Sequence, residues 1–183
     1  MPKNSLIKGH IDINFLTNEM LDQTVFKETH HIEFTWDELG LSKPKVKQES
    51  AIVHQSFGSD CPKWAHKIKD MFSNTIEHSM VTINLIEPGF FIPPHRDAFL
   101  KLREYAKINN IDITDKEPVR INLFLQDHKI GHFFEMENEV CFNYKKGDFA
   151  IIKLNKIHSV INIGNENRYT LQVSGFANKG TYT

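Results

Sequence analysis

The stretch Ile157-His158-Ser159-Val160-Ile161-Asn162-Ile163-Gly164-Asn165-Glu166-Asn167-Arg168-Tyr169-Thr170-Leu171-Gln172-Val173-Ser174 decides how the chain is read. It opens with a run rich in β-branched residues that stops at the turn dipeptide Gly164-Asn165, a strand followed by a turn. From Arg168 the pattern alternates. Arg168, Thr170, Gln172 and Ser174 share one face, and Tyr169, Leu171 and Val173 share the other. An edge strand facing water would carry such a polar face, and so would a strand of a small barrel around a polar ligand.

Upstream segments repeat this alternation. Val81, Ile83 and Leu85 alternate with Thr82 and Asn84, and Val119, Ile121, Leu123 and Leu125 with Arg120, Asn122 and Gln126. Val140 and Phe142 flank Cys141, and 149–154 follows the turn Lys146-Gly147-Asp148. Several short strands separated by turns predict a double sheet or jelly roll. Residues 98–109 interrupt them with Phe99, Leu102, Tyr105 and Ile108 near one face, which predicts an inserted helix.

Residues 1–80 read as mainly helical support. Thr17 or Asn18 caps a first helix carrying Met20, Leu21 and Val25. Ser59 or Asp60 caps a second, with Pro62 in its first turn and Trp64, Ile68, Met71, Phe72 and Ile76 at helical spacing. That stripe predicts a face packed on the sheet. The polar stretch 42–50 reads as a surface loop.

A chain of 183 residues fits one domain with a single core, over 1–183. Lys+Arg 22 against Asp+Glu 23 leaves a net charge of -1, which supplies no general pull toward nucleic acid or an anionic membrane. The two cysteines, Cys61 and Cys141, stand far apart and predict free, buried thiols in a reducing compartment. No apolar run reaches the roughly 20 residues of a membrane helix. Met1-Pro2-Lys3-Asn4-Ser5 lacks a signal peptide's apolar core, so the expected location is cytoplasmic.

The chemistry lies in four residues. In Pro93-Pro94-His95-Arg96-Asp97, a His and an Asp two apart on extended chain project to one side and can reach one ion. His158, 63 residues later in a late strand, is the candidate third ligand. Two imidazoles and a carboxylate on one face of an octahedron leave three positions open, as suits iron(II) with a bidentate keto-acid and O2. Zinc prefers four ligands. An isolated H-x-D triplet is common by chance. His10, His30, His31, His54, His66, His78, His128 and His132 have no such partners in sequence and read as structural or solvated. Arg168 follows His158 by ten residues, a hairpin spacing. Its guanidinium suits the far carboxylate of a dicarboxylic keto-acid, with Thr170 on the same face as a second donor.

His95-x-Asp97, then His158, then Arg168-x-Thr170 resembles the iron(II)/2-oxoglutarate-dependent dioxygenase superfamily. Pro94-His95-Arg96-Asp97, Gly147-Asp148-Phe149 and His158-Ser159-Val160-Ile161-Asn162 resemble its prolyl and free-amino-acid hydroxylase branches. The resemblance covers 81–177 and implies a double-stranded β-helix core, mainly β with α, with the N-terminal helices on its major sheet. It implies iron(II) on His95, Asp97 and His158, and 2-oxoglutarate as co-substrate on Arg168 and Thr170. It also implies hydroxylation of a C–H bond of a free or peptidyl amino acid, with succinate and CO2 as co-products. Two departures stand out. The nucleic-acid demethylase branch has a second arginine where this chain has Ser174, which argues against nucleic acid as a partner. Many relatives place a tyrosine on the first barrel strand to bond the co-substrate, where this chain offers Asn84, or Asn122 on the next strand; either is equally readable as core polarity.

Arg120 and His132 are candidates to grip a substrate carboxylate, and Phe91 to cover an aliphatic part. Phe133 and Phe134 read as ordinary strand residues, one in and one out. The rival reading is a non-catalytic, cupin-like β-barrel that binds a metal or small acid. It need not keep all four elements, and cupin metal motifs are richer in histidine, whereas no H-x-H occurs here.

Overall fold

The computed structural model describes residues 5–31 and 52–182. Eleven strands are present among them: β1 (Gly9–His10), β2 (Glu28–His31), β3 (Ile52–Phe57), β4 (Glu77–Ile86), β5 (Phe91–Arg96), β6 (Lys116–Phe124), β7 (His132–Met136), β8 (Glu139–Cys141), β9 (Asp148–Lys153), β10 (Ile157–Asn162) and β11 (Arg168–Asn178). Three α-helices accompany them, α1 (Asn18–Asp22), α2 (Lys63–Asp70) and α3 (Leu100–Ile108), with one turn of 3-10 helix at Gly58–Asp60.

The strands form two antiparallel sheets. The larger has the order β1-β9-β6-β11-β4-β3-β2, and the smaller β5-β10-β7-β8. From β4 onward the chain passes back and forth between them, with β4, β6, β9 and β11 in the large sheet and β5, β7, β8 and β10 in the small one. Eight strands wound in this way are a double-stranded β-helix, the expected jelly roll.

The large sheet shows why β11 carries its alternation. Tyr169, Leu171 and Val173 join Ile83 of β4 and Ile121 of β6 in one cluster with Leu21 of α1 and Ala65 and Ile68 of α2. Helices therefore cover the outer face, as the amphipathic stripe predicts. The opposite face looks into the double sheet and holds Arg168, Thr170 and Ser174, all buried. A second apolar cluster, including Phe124, Phe134 and Val160, closes the space between the sheets. The last strand is thus no edge; it lies between β4 and β6.

The first 80 residues differ from the helical expectation. They contribute β1, β2 and β3, and α1 and α2 are only 5 and 8 residues long. Met71, Phe72 and Ile76 follow α2 in a turn, where Phe72 and Ile76 are buried and Met71 is exposed. The helical spacing of that stripe outlasts the helix, because the chain turns back toward β4 while burying the same side chains. β2 and β3 escape a pattern search because their residues are mixed: Thr29 and His54, both polar, pair across the two strands. In α3, Leu102 and Ala106 face inward, while Tyr105 and Ile108 are exposed. The predicted loop at 42–50 lies outside the described residues. Cys61 and Cys141 are free and buried, and burial pushes the Cys61 thiol up to about 11. No helix among the described residues is long and apolar enough to cross a membrane.

Leu171 has no exposure and lies between sheet and helices. Leu171→Ala should cost about 2–5 kcal/mol of folding stability, whereas Ile130→Ala, at a fully accessible loop position, should stay within about 0.5 kcal/mol. Urea unfolding of both variants measures the difference; comparable midpoints would contradict the placement of this core.

Candidate metal centre

His95 on β5 stands directly opposite His158 on β10. The register slips between His158 and Val160, where β5 fits Pro93 and Pro94 against Ser159 alone. Prolines cannot donate to a ladder, so a bulge is where a strand tolerates them. The extra residue turns His95 to the same inward side as Ile92. Asp97, two residues on and just past the end of β5, keeps that side.

The three side chains converge. The imidazole centroids lie 4.1 Å apart. Asp97 Oδ1 is 3.9 Å from His95 Nε2, and Asp97 Oδ2 is 3.7 Å from His158 Nε2. One ligand atom from each lies within 4.8 Å of the other two, and no other such group of His, Cys, Asp and Glu occurs among the described residues. Both Nδ1 atoms face carbonyl oxygens, of Pro93 at 2.8 Å and Lys156 at 3.1 Å. A carbonyl only accepts, so each Nδ1 carries the proton and each Nε2 lone pair is left for an ion. Asp97 Oδ2 is buried without a hydrogen-bond partner.

The charges agree with this arrangement. Burial pushes the Asp97 carboxyl up, but Arg120, His158 and His95 together outweigh it and hold it below the usual carboxylate range. Burial, helped by His95, brings His158 down to about 4, so its ring is neutral at ordinary pH. Two imidazoles and one carboxylate, each with a ligand atom free of hydrogen bonds, fit a divalent ion of the iron(II) type that keeps open positions.

Arg168 starts β11 on the same inner face. It is 1% exposed, and none of its three guanidinium nitrogens has a hydrogen-bond partner. The Phe124 ring lies 5.9 Å away and stacks on Tyr144 at 3.8 Å. A buried cation without an acceptor costs several kcal/mol unless an anion joins it, so this surrounding fits a carboxylate ligand. Thr170 is buried beside it, opposite Asn84 and Phe124. Of the two amide candidates, Asn84 Oδ1 accepts from Gln55 Nε2 at 2.6 Å, while Asn122 Nδ2 has no partner. Asn122 therefore has a donor to spare.

The three substrate candidates are placed differently from expectation. Arg120 Nη1 donates to Asp97 Oδ1 at 2.8 Å, so it already holds a carboxylate of the protein itself. His132 is 1% exposed, and its Nε2 meets the Glu166 carbonyl at 3.0 Å. That bond ties the ring to the turn before β11, at the Arg168 end. Phe91 pairs with Ile161 while its neighbour Ile92 pairs with Val160 and packs inward. Alternation turns Phe91 to the outer face of the small sheet, away from the ligands. A cavity of about 250 Å³ does open beside Asp97, lined by Phe57, Thr82, Phe99 and Arg120 among others.

Two further residues lie near Arg168: Tyr144, which the sequence does not single out, and His128, which it reads as structural or solvated. Tyr144 is buried; burial raises its hydroxyl while the nearby charge of Arg168 opposes that shift. His128, whose backbone N–H donates to the Tyr144 carbonyl at 2.9 Å, presents its ring edge to Tyr144, and its buried Nε2 has no partner. Burial, with a contribution from Arg168, holds His128 below the usual histidine range. Both sit in loops, which carry no periodicity. Their one sequence-level signal is that the loop after β6 and the loop before β9 lie at the end of the sheet where β11 begins.

Among curated proteins, no sequence matches this chain. Solved structures similar to it include a Pseudomonas putida prolyl-4-hydroxylase, 16% identical over 79% of this chain and 81% of that one, with a TM-score of 0.46. A predicted oxalate decarboxylase from Thermotoga maritima is 15% identical over 69% of this chain and 83% of its own, with a TM-score of 0.41. A Klebsiella pneumoniae protein with a double-stranded β-helix domain is 19% identical over 55% and 73%, with a TM-score of 0.36. The sequence profile of the aspartyl/asparaginyl beta-hydroxylase family matches residues 12–177, beginning well inside the N-terminal part that bears no recognisable motif. Since that match covers most of the chain, reaches from before β2 into the end of β11, and takes in His95, Asp97, His158 and Arg168, the chain belongs to the aspartyl/asparaginyl β-hydroxylase family.

Proposed function

We propose that this protein is an iron(II)- and 2-oxoglutarate-dependent oxygenase that hydroxylates a C–H bond of an amino acid, free or within a peptide. The observation that carries this reading is the Arg168 guanidinium, buried at 1% exposure with no acceptor, on the inner face of the sheet that shares the metal cluster's interior. A binding module for a metal alone has no use for it.

His95, Asp97 and His158 would hold iron(II) through two Nε2 atoms and one carboxylate oxygen. Iron(II), 2-oxoglutarate and O2 together supply the oxidising chemistry, one oxygen atom going to the substrate and the other into succinate, with CO2 released. Arg168 would hold the far carboxylate of the keto-acid as a charge-assisted pair, with Thr170 and the Tyr144 hydroxyl beside it. Asn122 would use its spare amide N–H on the same ligand. Phe124 and Phe134 close the interior between the sheets and exclude water from these polar groups. The substrate would enter by the cavity beside Asp97, where the lining is mostly apolar. The family name points to the β-carbon of an acidic or amide amino acid as the position to test first.

Anaerobic addition of iron(II) and 2-oxoglutarate should produce a weak visible charge-transfer band; folded protein without one would favour the metal-binding barrel instead. Arg168→Ala should raise the KM for 2-oxoglutarate roughly 100-fold, with much less change for the amino acid. Tyr144→Phe should raise it about tenfold, the lower end for loss of one hydrogen bond to a carboxylate. Steady-state succinate release reads both, and equal effects on the two substrates would remove Arg168 from the co-substrate site. His158→Ala should abolish succinate formation while circular dichroism is unchanged; turnover at the normal rate would exclude it as a ligand.

A further inference from the structure

Arg120 and Ser174 have no part in the chemistry above, yet they are joined to it. They are cross-strand partners, Arg120 on β6 and Ser174 on β11. Ser174 Oγ accepts from Arg120 Nε at 2.9 Å, and Arg120 Nη1 donates to Asp97 Oδ1 at 2.8 Å. The guanidinium lies 5.3 Å from the centroid of the Phe99 ring, and Phe99 is buried at the start of α3 in the left-handed backbone region, at φ 52. Three separate elements therefore fix where the guanidinium points. Asp97 follows β5 rather than lying within it, so no ladder bond holds its backbone. Its carboxylate is oriented from outside, by Arg120.

The two oxygens of Asp97 consequently differ. Oδ1 is occupied by Arg120, and Oδ2 is buried without a partner. We infer that Arg120 is a positioning residue that makes Asp97 a one-oxygen metal ligand, and that Ser174 and Phe99 hold Arg120 to this task. This rests on the metal-site reading above. A carboxylate free of Arg120 could close on the ion through both oxygens and fill a fourth of six positions. With one oxygen used, three positions stay open, two for a keto-acid and one for O2. The short hydroxyl at 174 also belongs to this device. A long cationic side chain there would stand against Arg120 and push it from Asp97 by like-charge repulsion.

The test uses the full chain loaded with Mn(II), whose effect on water-proton relaxation scales with the number of exchangeable waters on the ion. Arg120→Ala should lower the relaxivity to about two thirds of the wild-type value, as one of three open positions closes. It should also raise the 2-oxoglutarate concentration needed to displace those waters by about tenfold, the lower end for loss of a group that orients a ligand. Arg120→Lys, which keeps one N–H donor and the charge, should recover part of both changes; a purely structural role would show no such recovery. If Arg120→Ala does not fold, Ser174→Ala should move both readouts in the same direction by a smaller factor. Unchanged relaxivity and midpoint in whichever variant folds would overturn the inference. Wild-type protein whose bound waters ignore 2-oxoglutarate would instead sink the oxygenase reading, while a drop in relaxivity on Arg120→Ala would still support the positioning role.

Discussion

A guanidinium sealed inside a double sheet without an acceptor is the constraint around which the rest of this structure is arranged. Arg168 never loses its charge, so the protein cannot escape the cost by neutralising it, as it does with His158. Leaving such a charge unmatched costs about 3–5 kcal/mol, a large share of a domain's net stability. The fold meets that cost from its other side. Tyr169, Leu171 and Val173, alternating with the polar set of β11, pack with the helices on the outer face of the large sheet. The sheet is thus apolar outside, under helices, while its inner face sets the polar residues of β11 beside the apolar cluster around Phe124.

The His95, Asp97 and His158 cluster depends on the same two-sided construction. Its three side chains come from the small sheet and its margin, but the large one adds Arg120 to their charge balance. Burial alone would raise the Asp97 carboxyl; Arg120, reaching across from β6, reverses that shift together with the two histidines. The backbone carbonyls of Pro93 and Lys156 then fix the tautomers of His95 and His158. A bulge built on two prolines supplies the extra residue that aims His95 correctly. Each device is local, yet each works only because both sheets are present.

The N-terminal part shows where periodicity misleads. Trp64, Ile68, Phe72 and Ile76 keep helical spacing, but the helix ends at Asp70, and the later members are buried by a turn that delivers the chain to β4. β2 has no buried residue, and β3 buries Val53 and Ser56, which stand three apart, so neither strand shows a two-residue alternation to read. Phe91 lies at the start of β5, opposite Ile161, rather than in a loop.

Read alone, the chain determined its jelly-roll class, the identity of the His95, Asp97 and His158 cluster, and the pairing of Arg168 with Thr170 on one strand face. These follow from a short-range fact: side chains two apart on a strand point the same way. The hairpin expected between His158 and Arg168 does not form, because β10 lies in the small sheet and β11 in the large one, and the turn between them passes from one sheet to the other. Tertiary structure alone decided that Arg120 pairs with Asp97, that His132 is tied to the Glu166 carbonyl, and that Tyr144 and His128 gather at Arg168. Those contacts join loops and strands far apart in sequence, and their partners are chosen by sheet order and register, which no local pattern of residues encodes.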